Sequence, residues 1–78
     1  MQTKEDITPY NDKGERHGYW EVYHLNGQLW AKGTYFNGIR HGYWEQYISD
    51  GRLYLKGNYV NGIQKGFWYM NKLLYFFT

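Results

Sequence analysis

The sequence repeats itself at an interval of 24 residues, and this limits the fold more than any other feature. His17-Gly18-Tyr19-Trp20-Glu21 returns as His41-Gly42-Tyr43-Trp44-Glu45, then in decayed form as Lys65-Gly66-Phe67-Trp68. Residues 17–38 laid on 41–62 give 13 identities in 22 pairs. A period of this length is the mark of a repeat architecture, in which each unit is one supersecondary element that its neighbours cover. The frame includes Gly27 and Gly51, Leu29 and Leu53, Lys32 and Lys56, Gly33 and Gly57, Tyr35 and Tyr59.

Each unit reads as a β-hairpin. Asn26-Gly27 and Asp50-Gly51 stand between short aromatic and aliphatic runs. Such dipeptides suit a type I′ turn, which needs positive φ at both central residues. A second turn begins at Asn37-Gly38 and Asn61-Gly62, each followed four places on by Gly42 or Gly66. Aromatic residues make up 23% of the chain and there are ten glycines, a composition suited to strands and turns. The expected fold is all-β: a single-layer antiparallel meander of successive hairpins, about five to seven short strands. The parts are a lead-in or cap over residues 1–12, repeats over 13–70 and a capping strand over 71–78.

A two-residue turn at Asn26-Gly27 places Val22 opposite Ala31, Glu21 opposite Lys32 and Trp20 opposite Gly33. The turn at Asp50-Gly51 repeats this with Glu45 opposite Lys56 and Trp44 opposite Gly57. Opposite charges then face each other, and each Trp covers the exposed backbone of a glycine. This register puts Trp20, Val22, Leu29, Trp44, Ile48, Leu53, Leu55, Trp68 and Met70 on one apolar face, with Ala31, Tyr35 and Tyr59. The other face mixes Tyr19, Tyr23, Trp30, Tyr43, Tyr47, Tyr54 and Tyr69 with Glu21, Lys32, Glu45 and Lys56.

The stretches Tyr35-Phe36-Asn37-Gly38-Ile39-Arg40-His41-Gly42-Tyr43-Trp44 and Tyr59-Val60-Asn61-Gly62-Ile63-Gln64-Lys65-Gly66-Phe67-Trp68 resemble MORN repeats in their bacterial variant form. The shared mark is a Tyr, then Asn-Gly, three residues, then Gly and an aromatic. The resemblance covers roughly residues 13–70. It implies an elongated, twisted sheet of hairpins, and roles in protein–protein interaction, dimerisation and, in some members, association with anionic phospholipid. Bacterial variants are often labelled antitoxin-like, which implies a partner that is bound and inhibited. The chain departs from the pattern at Tyr10–Lys13, where the lead-in is one residue longer, and after Met70.

The sequence calls for no cofactor, metal or enzymatic chemistry. There is no cysteine. His17 and His41 are repeat copies about 9–10 Å apart if separated by two strands, too far to share an ion. His24 lies at the opposite loop end. Ser49 has no motif partner for nucleophilic catalysis, and Glu21 and Glu45 each have a facing lysine. Two surfaces remain. The row Arg16-His17, Arg40-His41 and Lys65 forms a candidate basic rim, able to meet phosphates, as in nucleic acid, a nucleotide or a membrane surface, or an acidic partner. The apolar face is the stronger candidate. Five large apolar side chains left in water forgo on the order of 10 kcal/mol, so a second copy across a two-fold axis, or another protein, is expected to cover them. The net charge is +2 and the start of the chain is polar, so a soluble, cytoplasmic protein without a signal peptide or a transmembrane segment is expected.

Overall fold

In the computed structural model, which describes residues 5–78, the chain forms one six-stranded antiparallel sheet. The strands are β1 (Gly18–Tyr23), β2 (Leu29–Phe36), β3 (Ile39–Tyr47), β4 (Leu53–Val60), β5 (Ile63–Met70) and β6 (Leu73–Phe77), each beside its sequence neighbour. The body measures 42 × 35 × 10 Å, the thickness of one layer. Residues 1–4 of the lead-in, and with them the expected absence of a signal segment, lie outside the described residues.

The register away from the turns is the expected one. Trp20 pairs with Gly33, Glu21 with Lys32 and Val22 with Ala31; Trp44, Glu45 and Gln46 pair with Gly57, Lys56 and Leu55. The turns themselves differ. At Asn26-Gly27 the loop has three residues: Gly27 N–H donates to His24 O (2.9 Å) and His24 N–H to Gln28 O (2.8 Å). The Asn26 side chain accepts from Gln28 N–H, an Asx turn. Asp50 does the same for Arg52, and Gly51 repeats the Gly27 bond with Ile48. One extra residue then bulges out, Trp30 in β2 and Tyr54 in β4, which restores the register that a two-residue turn would give. The two-residue geometry belongs instead to Asn37-Gly38 and Asn61-Gly62. There both residues have positive φ (48° and 86°; 52° and 81°), as type I′ requires.

A second irregularity makes the core. Where β2 has Gly33 alone between Lys32 and Thr34, β3 has Gly42, Tyr43 and Trp44 between His41 and Glu45. The surplus lets the indole of Trp44 cover Gly33, where an added Cβ would overlap the ring. Trp68 covers Gly57 in the same way. Each glycine is therefore covered from the following strand, not by the Trp with which it pairs in the preceding one. Each indole N–H donates to a backbone carbonyl: Trp44 to Thr34, Trp68 to Asn58 and Trp20 to Pro9.

The segment before β1 imitates a missing strand. Ile7 and Glu21 exchange backbone hydrogen bonds, and Tyr10 bridges to Arg16. Tyr10 packs edge-on against Trp20 at 5.5 Å, as Tyr35 does against Trp44 and Tyr59 against Trp68. Indole hydrogen bonds reach back ten residues within the repeats but eleven at Trp20, the extra lead-in residue seen in the sequence. Successive turns also clasp one another. Gly38 N–H donates to Arg16 O and Gly62 N–H to Arg40 O at one end; Asn26 Nδ2 donates to Ser49 O at the other.

Candidate functional site

The three ladder tryptophans are covered within a single chain. Trp20, Trp44 and Trp68 are 9%, 5% and 0% exposed. Alternating Trp and Tyr rings meet edge to face across the strands, with Tyr35 between Trp20 (5.1 Å) and Trp44 (5.0 Å), Tyr59 between Trp44 and Trp68, and Phe77 beyond. Such pairs add about 0.5–1.5 kcal/mol each to the burial itself. The expected wet stripe thus does not exist. The reason is local: glycine beneath, tyrosine edges beside and the Pro9–Tyr10 segment at the first unit supply the cover expected from a second copy.

The remaining members of the candidate apolar face divide. Val22, Leu55 and Met70 lie on the tryptophan side, half-buried. Leu29 and Leu53 do not. The bulges at Trp30 and Tyr54 pair them with Tyr23 and Tyr47, which places them on the opposite side. Ile48 stands in a turn, beside a hollow shared with Leu53, Tyr54 and Tyr69.

The basic rim also divides. The Arg16 guanidinium rests over the Trp20 and Tyr35 rings, and that of Arg40 over Trp44 and Tyr59, all on the tryptophan side. His41 pairs with Thr34 and Lys65 with Asn58 on the other side. His17 Nδ1 accepts from Asn37 N–H, and its ring meets Phe36 at 5.2 Å. The five side chains therefore point to two sides of the sheet, because adjacent residues in a strand face opposite ways.

Sequence reasoning missed Trp30. The bulge turns it to the tryptophan side, 51% exposed, over a hollow of about 330 Å³ with Val22, Ala31, Gln46 and both arginines. The available signal was an aromatic at the same place in both copies, Trp30 and Tyr54.

The opposite side has its own order. Glu45 accepts from the hydroxyls of Tyr43 and Tyr47, both at 2.6 Å, and pairs with Lys32 at 3.4 Å. This ion pair runs across β2–β3, whereas the sequence pairs Glu45 with Lys56. Glu21 accepts from Tyr19 and Tyr23 in the same way. Desolvation works against the Glu45 carboxylate, but the two phenols and Lys32 outweigh it and hold its pKa below the usual range. Desolvation and the bond to Glu45 push Tyr43 up to about 12, and that bond, then desolvation, does so for Tyr47.

In the third unit this pattern is lost. Tyr69 stands where Glu21 and Glu45 stood, and Phe67 meets Phe76 at 4.9 Å. On this side Phe36, Ile39, Val60 and Ile63 stand near one end of the strands and Phe67 and Phe76 further along β5 and β6, with Lys65 between them, each of the six apolar residues 45–67% exposed. Ile39 and the Asn61-Gly62 turn are in contact, a Cβ on Gly62 falling 2.9 Å from Ile39 Cγ2. Among the described residues no helix is long and apolar enough to cross a membrane. The chain matches no family model, no curated protein and no solved structure.

Proposed function

We propose that this chain is a non-catalytic interaction module of MORN type that docks another protein and thereby regulates it. The observation that carries the reading is the exposed band of Phe36, Ile39, Val60, Ile63, Phe67 and Phe76. It contributes little to the packing of the sheet, since the tryptophan ladder already provides the core on the other side. Exposed large apolar side chains gathered on one side of a small sheet mark an interface. The occupant is another protein or a second copy of this chain.

Ile63→Asp tests this, because Ile63 is 60% exposed and its loss leaves the core intact. Capture from the native host with the wild-type chain is expected to enrich a protein that Ile63→Asp fails to retain, at unchanged melting temperature. Light scattering at micromolar concentration identifies a second copy as the occupant in the same pair of proteins. A monomer whose partners bind equally to both proteins would refute the reading. The alternative, phosphate binding along one basic rim, draws less support, because the rim side chains stand on two sides of the sheet.

A further inference from the structure

On the side opposite that band, the hollow between Arg16 and Arg40 presents two positive charges without a counter-charge among the described residues. Neither arginine has a carboxylate within ion-pair distance among the described residues. No residue lining the hollow is acidic. Both guanidiniums are held in place by rings: Arg16 lies 5.6 Å from Trp20 and Tyr35, and Arg40 5.1 Å from Trp44 and 5.6 Å from Tyr59. Arg40 also donates to the Tyr59 hydroxyl at 3.3 Å. A phenol is a neutral acceptor and leaves the charge uncompensated. A guanidinium ordered against rings is pre-organised for a planar two-oxygen acceptor, since little side-chain freedom remains to be lost.

We infer that this hollow binds the carboxylates of an acidic extended segment of a protein, one carboxylate at each arginine. This site goes beyond the docking band and stands or falls separately from it. Its floor is Val22 and Ala31 and its wall is the exposed Trp30, apolar surface that suits the methylenes of a glutamate. Gln46 adds an amide for the main chain of the segment. A nucleic-acid backbone fits less well. It needs a stripe of cations, and His41 and Lys65 lie on the other side. The arginines occupy equivalent places in consecutive units, two strands or about 9.5 Å apart. A polyproline II segment repeats its face every three residues, about 9.3 Å. The match selects glutamates separated by two residues.

The probe is a proline-rich peptide carrying Glu-x-x-Glu, titrated against the full chain and followed by Trp30 fluorescence. A peptide with Gln-x-x-Gln is the control. Binding of the first, at least about tenfold tighter than the second, is expected. Arg16→Gln and Arg40→Gln are each expected to weaken it about tenfold or more, and Lys65→Gln to leave it unchanged. The arginine variants should fold, because the third unit carries Gln64 at the same place; their circular dichroism confirms it. Equal binding of the two peptides, no binding at millimolar peptide, or indifference to both arginine variants would overturn the inference. So would displacement of the peptide by a single-stranded oligonucleotide at concentrations below the peptide's own.

Discussion

The indole of Trp44 covers the backbone of Gly33, a glycine that pairs in the ladder with a different tryptophan, Trp20. Trp68 and Gly57 repeat the relation, with Trp44 as the ladder partner. Each tryptophan therefore joins two units: its backbone pairs forwards and its ring packs backwards.

Any Cβ at Gly33 or Gly57 must displace a ring pinned by its N–H to Thr34 O or Asn58 O. Overpacking of this kind costs on the order of 3 kcal/mol. Gly14 has positive φ but nothing within 4 Å of an added Cβ, so alanine there costs about 1 kcal/mol of backbone strain. Urea unfolding is expected to rank Gly33→Ala and Gly57→Ala well below Gly14→Ala in midpoint. Equal midpoints would show that the ring moves aside freely.

The four tryptophans differ in exposure, which fluorescence reads directly. Acrylamide should quench the Trp30 signal and leave that of Trp20, Trp44 and Trp68 largely protected, so that Trp30→Phe removes the quenchable component. Trp68→Ala is expected to cost about 3–5 kcal/mol, as large core truncations do. Trp30→Ala should stay within about 0.5 kcal/mol, the range of ordinary surface changes. Uniform quenching of all four would contradict the burial of the ladder.

The tyrosine–glutamate clamps give the sheet a pH dependence at both ends. Tyr43 and Tyr47 hold their protons up to about 12 in the folded chain, against 10.0 ordinarily. Unfolding lets them ionise earlier, so their contribution is complete below about pH 10 and is lost between about 10 and 12. Glu45 has the opposite sign. Its folded pKa lies below the ordinary value, so its contribution is present above the usual carboxylate range and fades as pH falls through the folded pKa. In Glu45→Gln the Tyr47 titration should fall back towards 10, visible in tyrosinate absorbance; an unmoved titration would remove the carboxylate as the cause.

The strand order and the mid-strand register were legible because the 24-residue period fixes the Glu21–Lys32 and Glu45–Lys56 ladder positions independently. The bulges were not. A three-residue loop plus one bulged residue and a plain two-residue turn give the same register beyond them, so the pattern does not distinguish the two. They differ only in what happens to Leu29, Trp30, Leu53 and Tyr54, and the sides of Leu29, Trp30 and Leu53 were misjudged. The facing of the rim residues follows from a simpler rule: Arg16-His17 and Arg40-His41 are neighbours in sequence and so face opposite sides. Burial of the tryptophans depended on the surplus residues of β3 and β5, which bring each ring onto a glycine of the neighbouring strand that is not its ladder partner.

At β6 the pattern of the units is altered at the position that would seat a following tryptophan. Gly66 pairs with Phe77 as Gly42 does with Tyr59, but Trp68 pairs with Tyr75 where Trp44 pairs with Gly57. Tyr75 thus holds the place of the glycine on which a following tryptophan would lie. A further unit is tested by appending a copy of residues 61–78 after Thr78, which continues the register at the point where Asn61 follows Val60. The appended Trp should remain accessible to acrylamide, and stability should not rise, because the Tyr75 side chain occupies its seat. In the same extended chain with Tyr75→Gly the ring has its seat, and the repeat's interface adds to stability, since such arrays gain stability unit by unit. The expected outcome is a higher urea midpoint and a protected fourth ladder tryptophan only with the glycine. Equal stability of the two extended chains would show that Tyr75 does not close this side.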